Sequence, residues 1–86
     1  MSWIVYILRC ADNTLYTGIT TDADRRISEH NKDNKKGARY TRARRPVMLA
    51  YQEQCDNRSQ ASLREHQIKK LARKEKLKLI SDSKQT

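Results

Sequence analysis

The sequence predicts an α/β fold of the α+β type, a small three-stranded antiparallel sheet flanked by helices. Two strand-like segments, residues 3–8 and 14–20, are separated by a short turn, and a third follows Pro46. Segments with helical character lie between and after these strands. The 86 residues are enough for one domain, residues 1–86, and too few for a second core beside it. We expect the core of this domain to span about residues 3–80.

The first two strands are separated by a turn whose length decides the position of their tyrosines. Residues 3–8 are apolar on both faces and rich in β-branched and aromatic residues, which favours a buried central strand. A two-residue turn would place Tyr6 and Tyr16 on opposite faces of the sheet. A three-residue loop, with Asn13 in the left-handed conformation that it tolerates, pairs Tyr6 with Gly18 and brings both tyrosines to one face. A shared tyrosine site requires the second register, and we predict that one.

The first helix is predicted to begin after a cap at Thr21 or Asp22 and to run to about Asn31. Its phase divides the side chains into two groups. The group expected to face the sheet is Ala23, Arg26, Ile27 and His30. The group expected to face outward is Arg25, Ser28 and Glu29.

Residues 31–45 carry many charges and few apolar side chains, so we predict a loop there with Gly37 as its pivot. Pro46 then opens a third strand over residues 47–52, because a missing amide proton is easiest to accommodate at a strand start. A second helix is predicted from Asn57 or Ser59 to about residue 71, and a third over residues 75–80. Residues 82–86 are expected to form a frayed tail.

Glu65 is out of place in the second predicted helix. The inward stripe of that helix is expected to contain Ala61, Ile68 and Ala72, flanked by Leu71. Glu65 lies within this stripe, where a carboxylate is costly unless it is paired or ligates a metal. From spacing alone, a salt bridge with one of the many arginines and a metal site both remain open.

Nineteen Lys plus Arg against ten Asp plus Glu give the chain a formal net charge of +9. Such a surplus favours polyanionic partners, although it also serves solubility alone. The densest basic segment is residues 35–45, with one aromatic side chain inside it, and a second basic zone spans residues 69–78. We predict phosphate tracking with Tyr40 stacking on an unpaired base. The residues predicted to bind nucleic acid are Gly18, Lys36, Arg39, Tyr40, Arg42, Arg44, Lys69 and Lys70.

Several classes of protein are disfavoured by the sequence. No apolar run approaches the roughly 20 residues of a membrane span, so we expect no membrane partner. Cys10 and Cys55 lack both CxxC spacing and histidine partners at zinc spacing, which favours reduced thiols in a cytoplasmic protein. We expect a monomer.

The spacing of four polar residues suggests a family. Tyr6 and Tyr16 are ten residues apart, Arg26 follows ten residues later, and His30 comes one helical turn after Arg26. This layout resembles the GIY-YIG nuclease family, with Val5-Tyr6-Ile7 and Tyr16-Thr17-Gly18 in place of its two tripeptides, over roughly residues 3–80. The basic segment is similar to that of the small stand-alone YhbQ-like branch, which itself resembles the Slx-type and excision-repair nuclease domains.

The resemblance implies a metal-dependent endonuclease that hydrolyses DNA phosphodiester bonds, with a preference for branched or single-stranded structures. It implies catalytic roles for Tyr6, Tyr16, Arg26 and His30, and it leaves open which tyrosine is the base. It also implies that Glu65 binds a single Mg²⁺ or Mn²⁺ ion. The alternative is a module with little or no catalysis that binds branched DNA or structured RNA on the same fold. A basic ribosome-associated or scaffold protein is a third, more distant alternative.

Two positions depart from the family pattern. Ile19 stands where some repair nucleases of this family carry Lys. Leu77, twelve residues after Glu65, stands where we would look for the Asn that many members place after the metal-binding Glu.

Overall fold

A computed structural model describes residues 2–83, which form three strands and four helices. The strands β1 (Trp3–Arg9), β2 (Leu15–Thr20) and β3 (Met48–Cys55) make one antiparallel sheet in the order β2-β1-β3. The helices are α1 (Ala23–Lys32), α2 (Arg39–Arg42), α3 (Arg58–Lys69) and α4 (Arg73–Ser83). The predicted fold class is confirmed.

The β1–β2 turn has the geometry that places both tyrosines together. Asn13 adopts a positive φ of 69°, and Thr14 donates its backbone N–H and its hydroxyl to the Asp12 carboxylate. The resulting register pairs Tyr6 with Gly18. The prediction of a three-residue loop is therefore confirmed, and an asparagine at its left-handed position explains why this loop forms.

The sheet has two different faces. On one, which we call the apolar face, α3 packs against β1 and β2 and α4 packs against β3, and the buried residues are Val5, Ile7, Ala61, Ile68 and Ile80. On the other, which we call the tyrosine face, α1 packs through Ile27, and the buried cluster is Tyr6, Leu8, Cys10 and Val47. Burial of each large apolar side chain stabilises the fold by about 1.5–3 kcal/mol.

Helix α1 begins where the sequence predicted, because the Asp22 side chain accepts a hydrogen bond from the Arg25 backbone N–H at 3.1 Å. His30, near its end, is fully buried. The prediction that Glu29 faces outward is wrong, since only 18% of its side chain is exposed. Glu29 instead lies between Arg26, at 2.9 Å, and Arg25, at 3.8 Å.

The segment predicted as a loop, residues 31–45, contains the short helix α2. The Arg45 guanidinium holds this segment against α1 by donating to the carbonyl oxygens of His30, at 2.5 Å, and Asp33, at 3.0 Å. Gly37, which was predicted as the pivot of this loop, does not use the left-handed conformation, because no glycine in residues 2–83 has a positive φ. A Cβ atom at Gly37 would come within 2.6 Å of the Asp33 carbonyl oxygen, so close backbone approach is what requires glycine.

Strand β3 ends later than predicted because it pairs with β1 as far as Trp3 and Cys55. Val47 precedes the strand, and the Asn31 side chain takes the place of a strand partner there. The Asn31 amide accepts from the Val47 N–H at 2.7 Å and donates to the Val47 carbonyl at 3.1 Å. This contact ties the end of α1 to the start of β3.

The second predicted helix is α3, which is capped by Asn57 and ends at Lys69 rather than near residue 71. The helical conformation is interrupted before α4, where the Ala72 N–H donates to Glu75 Oε1 at 3.2 Å and so caps the new helix. Ala72 is exposed, so its assignment to the inward stripe is wrong.

Helix α4 is longer than the predicted 75–80 and includes Asp82 and Ser83. The prediction of a frayed tail is wrong for these two residues, and residues 84–86 lie outside the described part of the chain. Of the helices within residues 2–83, none combines the length and apolar character needed to cross a membrane. Cys10 and Cys55 are both free thiols.

Candidate active site

Tyr6 and Tyr16 lie on the same face of the sheet, as the predicted register requires. Their ring centroids are 6.5 Å apart. Tyr6 is in the central strand and only 2% exposed, whereas Tyr16 is in the edge strand β2 and partly exposed. Solvent and a substrate therefore have easier access to Tyr16 than to Tyr6.

Gly18 makes room for the Tyr6 side chain. A Cβ atom at this position would lie 2.5 Å from the Tyr6 hydroxyl oxygen and 2.6 Å from Cζ. The pairing of β1 with β2 continues without a shift through Gly18, so a bulge does not explain the glycine. The close approach considered from sequence is made by the Tyr6 phenol. A contact between Gly18 and nucleic acid stays a prediction.

His30 is hydrogen-bonded at both ring nitrogens. Its Nε2 is 2.9 Å from the Tyr6 hydroxyl, and its Nδ1 is 2.8 Å from Thr41 Oγ1. The imidazole also meets the Tyr16 ring edge-on, with 5.2 Å between centroids. Tyr6, Tyr16 and His30 thus form one contiguous cluster.

Burial changes the acid–base properties of this cluster. Burial, opposed by the Arg26 guanidinium, raises the pKa of Tyr6 to about 12. Burial and then the positive charge of Arg26 lower the pKa of His30 to about 4. At neutral pH both side chains are therefore uncharged, Tyr6 as a phenol and His30 as a neutral imidazole.

Arg26 is held beside the cluster by two contacts of its Nη1 atom. This atom donates to Glu29 Oε1 at 2.9 Å and to the carbonyl oxygen of Lys36 at 2.6 Å. The guanidinium is also close enough to Tyr6 to oppose the rise in its pKa. Arg26 is less exposed than its neighbour, since the Arg25 side chain is 60% exposed and that of Arg26 only 24%.

Glu65 is on α3, which packs against the apolar face, yet its carboxylate acts on the tyrosine cluster. Its negative charge contributes to the raised pKa of Tyr6, after burial and Tyr16. The Glu65 side chain is 24% exposed and forms an ion pair with Lys69 at 3.5 Å. The salt bridge considered from sequence is present, with a lysine in place of an arginine.

The basic segment supplies a fourth ring to the cluster. Tyr40 is 39% exposed and stacks on Tyr16 with 5.8 Å between centroids and 28° between planes. The Arg44 guanidinium lies 4.0 Å from the Tyr40 ring centroid and forms an ion pair with Asp12 at 3.0 Å. The β1–β2 turn and the basic segment are thereby fixed to each other around Tyr16.

The other residues predicted to bind nucleic acid are at the surface. Arg42 donates to the carbonyl oxygen of Asn34 at 2.9 Å, which occupies one of its nitrogens. Besides Tyr40, the exposed members of the predicted set are Lys36, Arg39, Arg42, Lys69 and Lys70.

Thr41 and Arg45 are two contributors that the sequence did not indicate. Thr41 is fully buried beneath His30, and Arg45 binds the His30 carbonyl oxygen. Both belong to a charged segment without apolar periodicity, so no pattern distinguished them from their exposed neighbours. An N-cap or turn motif would have been the only local signal for Thr41, whose hydroxyl donates to the carbonyl of Ala38 at 2.9 Å.

Comparison with known proteins identifies the family of this site. A family model described as the GIY-YIG catalytic domain matches residues 2–78. The chain belongs to the GIY-YIG family. A UPF0213 protein of Desulfotalea psychrophila is 60% identical over 82 residues, which cover 95% of this chain and 74% of that protein. A UPF0213 protein of Staphylococcus haemolyticus is 51% identical over 78 residues, which cover 91% of this chain and 93% of that protein.

Two solution NMR structures share the fold. The protein EF2693 from E. faecalis aligns with a TM-score of 0.66 at 39% identity, covering 100% of this chain and 90% of that chain. The UPF0213 protein BH0048 from Bacillus halodurans aligns with a TM-score of 0.59 at 43% identity, covering 94% and 84%. The predicted resemblance is thus confirmed, and this small GIY-YIG protein has the catalytic-domain fold of a nuclease family that acts on nucleic acid.

The two departures from the GIY-YIG pattern have a structural explanation. Ile19 pairs with Val5 and packs into the apolar face, away from the tyrosines. Leu77 also packs against that core. Both positions therefore contribute to packing in this chain.

Proposed function

We propose that this GIY-YIG protein is a metal-dependent endonuclease that hydrolyses DNA phosphodiester bonds. The observation that carries the proposal is the buried contact between the Tyr6 hydroxyl and His30 Nε2, at 2.9 Å, beside the Arg26 guanidinium. Buried polar groups cost free energy unless they are paired, and this pair lies in the catalytic domain of a nuclease family.

The contact between Tyr6 and His30 suits a proton relay. A water molecule that attacks phosphorus must lose a proton, and a phenolate at Tyr6 is scarce at neutral pH because the pKa is about 12. In the relay, the proton from water passes to the Tyr6 oxygen as the Tyr6 proton passes to His30 Nε2. The new hydroxide forms the O–P bond, and the bond to the leaving oxygen breaks. Neither step requires a free phenolate before the substrate binds.

Arg26 links substrate binding to the basicity of His30. Its charge is the second cause, after burial, of the lowered pKa of His30. A phosphate that pairs with the guanidinium offsets that charge, so the pKa of His30 rises towards its ordinary value in the complex. The planar fork also matches the oxygens of the phosphate as negative charge develops on them.

Glu65 offers a single carboxylate to a hard cation. Within residues 2–83, no cluster of three or more His, Cys, Asp or Glu side chains could enclose a metal. Mg²⁺ is commonly held by one or two carboxylates together with water and substrate phosphates, and Mn²⁺ accepts the same oxygen ligands. Glu65 would hold one such ion, which when bound stabilises charge on the leaving oxygen.

Tyr40 favours a substrate with unpaired bases. Its ring is partly exposed next to Tyr16, and the Arg44 guanidinium lies 4.0 Å from its centroid. A base splayed out of a junction or single strand would stack on this ring by displacing Arg44. The exposed Lys36 and Arg39 would contact the phosphates of the same strand. Branched or single-stranded DNA is therefore the proposed substrate class.

The test is the substitution Glu65→Gln, assayed on branched, nicked, single-stranded and duplex DNA, and on structured RNA, with Mg²⁺ or Mn²⁺. The amide keeps the shape but removes the charge that a hard cation needs. We expect cleavage to be lost while affinity for DNA remains close to that of the wild type. Asp56→Asn, at an exposed position just before α3, makes the same charge change and should cleave normally. Unchanged cleavage by Glu65→Gln would refute the metal role.

A second candidate is a nucleic-acid-binding module with weak or no catalysis. The ion pair between Glu65 and Lys69 favours it, because an already paired carboxylate attracts a cation less strongly. Leu77 also leaves the position sought for the family Asn without a polar side chain. Binding without cleavage by the wild type, across both metals and every substrate, would select this candidate.

A further inference from the structure

The hydrogen-bonded chain that begins at Tyr6 continues through His30 to Thr41 and ends at a backbone carbonyl. Thr41 Oγ1 is 2.8 Å from His30 Nδ1 and donates to the carbonyl oxygen of Ala38 at 2.9 Å. The side chains of His30 and Thr41 are both fully buried. Thr41 is on α2, within the basic segment.

The last member of this chain fixes the direction of every hydrogen bond in it. A carbonyl oxygen can only accept, and a threonine hydroxyl has one hydrogen to donate. The Ala38 carbonyl also accepts from the backbone N–H groups of Thr41 and Arg42 at 3.1 Å. With the hydroxyl hydrogen directed at this carbonyl, Thr41 Oγ1 accepts from His30. The Nδ1 atom must then carry the single proton of the neutral imidazole, and Nε2 must accept from the Tyr6 hydroxyl.

We propose that Thr41 is a positioning residue that holds His30 in the Nδ1–H tautomer, with Nε2 free to receive a proton from Tyr6. The catalytic consequence rests on the proposed nuclease function, whereas the tautomer is a property of the free protein. In the opposite tautomer, Nε2–H would donate to Tyr6 and could take no proton from it.

The other groups around His30 do not determine this choice. The charges of Arg26, Glu29 and Arg45 act on its protonation, and Tyr16 contacts the ring edge. The Tyr6 hydroxyl can rotate to donate or to accept, so it adapts to either tautomer. Only at Thr41 is the hydroxyl proton already committed elsewhere. The basic segment therefore sets the tautomer of His30 and also presents positively charged side chains to the substrate.

The tautomer can be measured directly from the ring ¹⁵N chemical shifts of the uniformly labelled protein at pH 7. We expect a protonated Nδ1 and an unprotonated Nε2 for His30 in the wild type. An Nε2–H signal for His30 would overturn the proposal, whether or not the protein cleaves DNA. Failure of the nuclease proposal is seen separately, as absence of cleavage by the wild type.

Three variants separate positioning from packing. Thr41→Val keeps the shape and removes the hydroxyl, so we expect the Nε2–H tautomer to appear and kcat to fall about 10- to 100-fold with KM nearly unchanged. Thr41→Ser keeps the hydroxyl and should retain the Nδ1–H tautomer with kcat within about threefold of the wild type. Thr21→Val, the same change at an exposed position, should alter neither.

An unchanged tautomer in a folded Thr41→Val protein would overturn the proposal. If Thr41→Val does not fold, Thr41→Ser decides. Retention of the Nδ1–H tautomer in that variant supports the role of the hydroxyl, and its loss refutes that role.

Discussion

The two faces of the sheet are built from different chemistry. On the apolar face, the fully buried side chains are aliphatic, as with Ile7 and Ile68. On the tyrosine face, the buried residues Tyr6, His30 and Thr41 are joined by hydrogen bonds. A buried hydrogen bond adds only about 1 kcal/mol net to stability, and an unpaired member costs more than that. The apolar face is therefore the main source of stability, whereas the tyrosine face places polar groups at a stability cost that function explains.

This difference predicts that substitutions on the two faces separate stability from activity. A change on the apolar face should lower the free energy of unfolding and leave the reaction of the folded protein intact. A substitution in the polar cluster of the tyrosine face should chiefly reduce cleavage.

The largest effect is expected for Tyr6→Phe, which removes the hydroxyl that links His30 to the attacking water. Cleavage should fall about 10²- to 10⁴-fold, the usual contribution of a positioned acid–base group. Tyr51→Phe removes a phenol on the other face, where the hydroxyl donates to Glu53, and should leave cleavage nearly unchanged. Initial rates under saturating metal measure both. Wild-type cleavage by Tyr6→Phe would refute the relay.

The next largest effect is expected for Ile68→Ala on the apolar face. The side chain is fully buried, so its truncation should lower the free energy of unfolding by about 2–5 kcal/mol. Leu63 is on the same helix but 60% exposed, and Leu63→Ala should change stability by less than about 0.5 kcal/mol. Urea unfolding gives both values. A large loss of kcat in folded Ile68→Ala protein would show that the faces are coupled.

The tyrosine face should make stability depend on pH. The pKa of His30 is about 4 in the folded protein, against about 6.5 when unfolded. Between these values the unfolded chain binds a proton that the folded chain does not, so the free energy of unfolding decreases as pH falls. The total loss from pH 6.5 to pH 4 should be about 3 kcal/mol.

The second histidine provides the control for this pH dependence. His66 is exposed on α3, so His66→Gln should retain the loss of stability on acidification. His30→Gln should be less stable at pH 7 and should show a much flatter dependence between pH 4 and 6.5. Thermal unfolding across that range measures both slopes, and equal slopes would contradict the assignment to His30.

The fold was predictable where local chemistry and the requirement of a shared site agreed. Asn13 tolerates a left-handed conformation, which made the three-residue loop possible, and the requirement that both tyrosines share one face selected that loop over the two-residue turn. A break between the last two helices was predicted at residues 71–75, but α3 ends at Lys69 and α4 begins at Arg73. These bounds depend on a cap formed by Glu75 at the Ala72 N–H, and apolar periodicity carries no information about such a cap.

The site was predictable only in part, for a related reason. The positions of Tyr6 and His30 could be predicted because the strand register and the helical phase determine which way their side chains point. Thr41 and Arg45 take their roles from contacts across the fold, within a segment where neighbouring charges are exposed. Helical phase identified Glu65 as an unusual carboxylate. Phase alone could not predict that its ion-pair partner would be Lys69.

The smallest effect is expected in the basic segment, where the structure separates cations available to DNA from cations already engaged. Arg39 is exposed, and Arg39→Ala should reduce the slope of log affinity against log salt by about 0.9 if it neutralises one duplex phosphate. Arg44 is bound to Asp12 and lies over Tyr40, so Arg44→Ala should change the slope less than Arg39→Ala.

The matched control is Arg58→Ala, which removes the same charge next to Trp3, outside the basic segment. It should leave the slope unchanged, because a contact to phosphate, unlike net charge, depends on position. The Arg39→Ala effect should be equal for all duplex sequences, since phosphates carry no base information. If Arg39→Ala and Arg58→Ala lower affinity and slope equally, the attraction comes from net charge alone. DNA would then have no defined path from the basic segment to the tyrosine face.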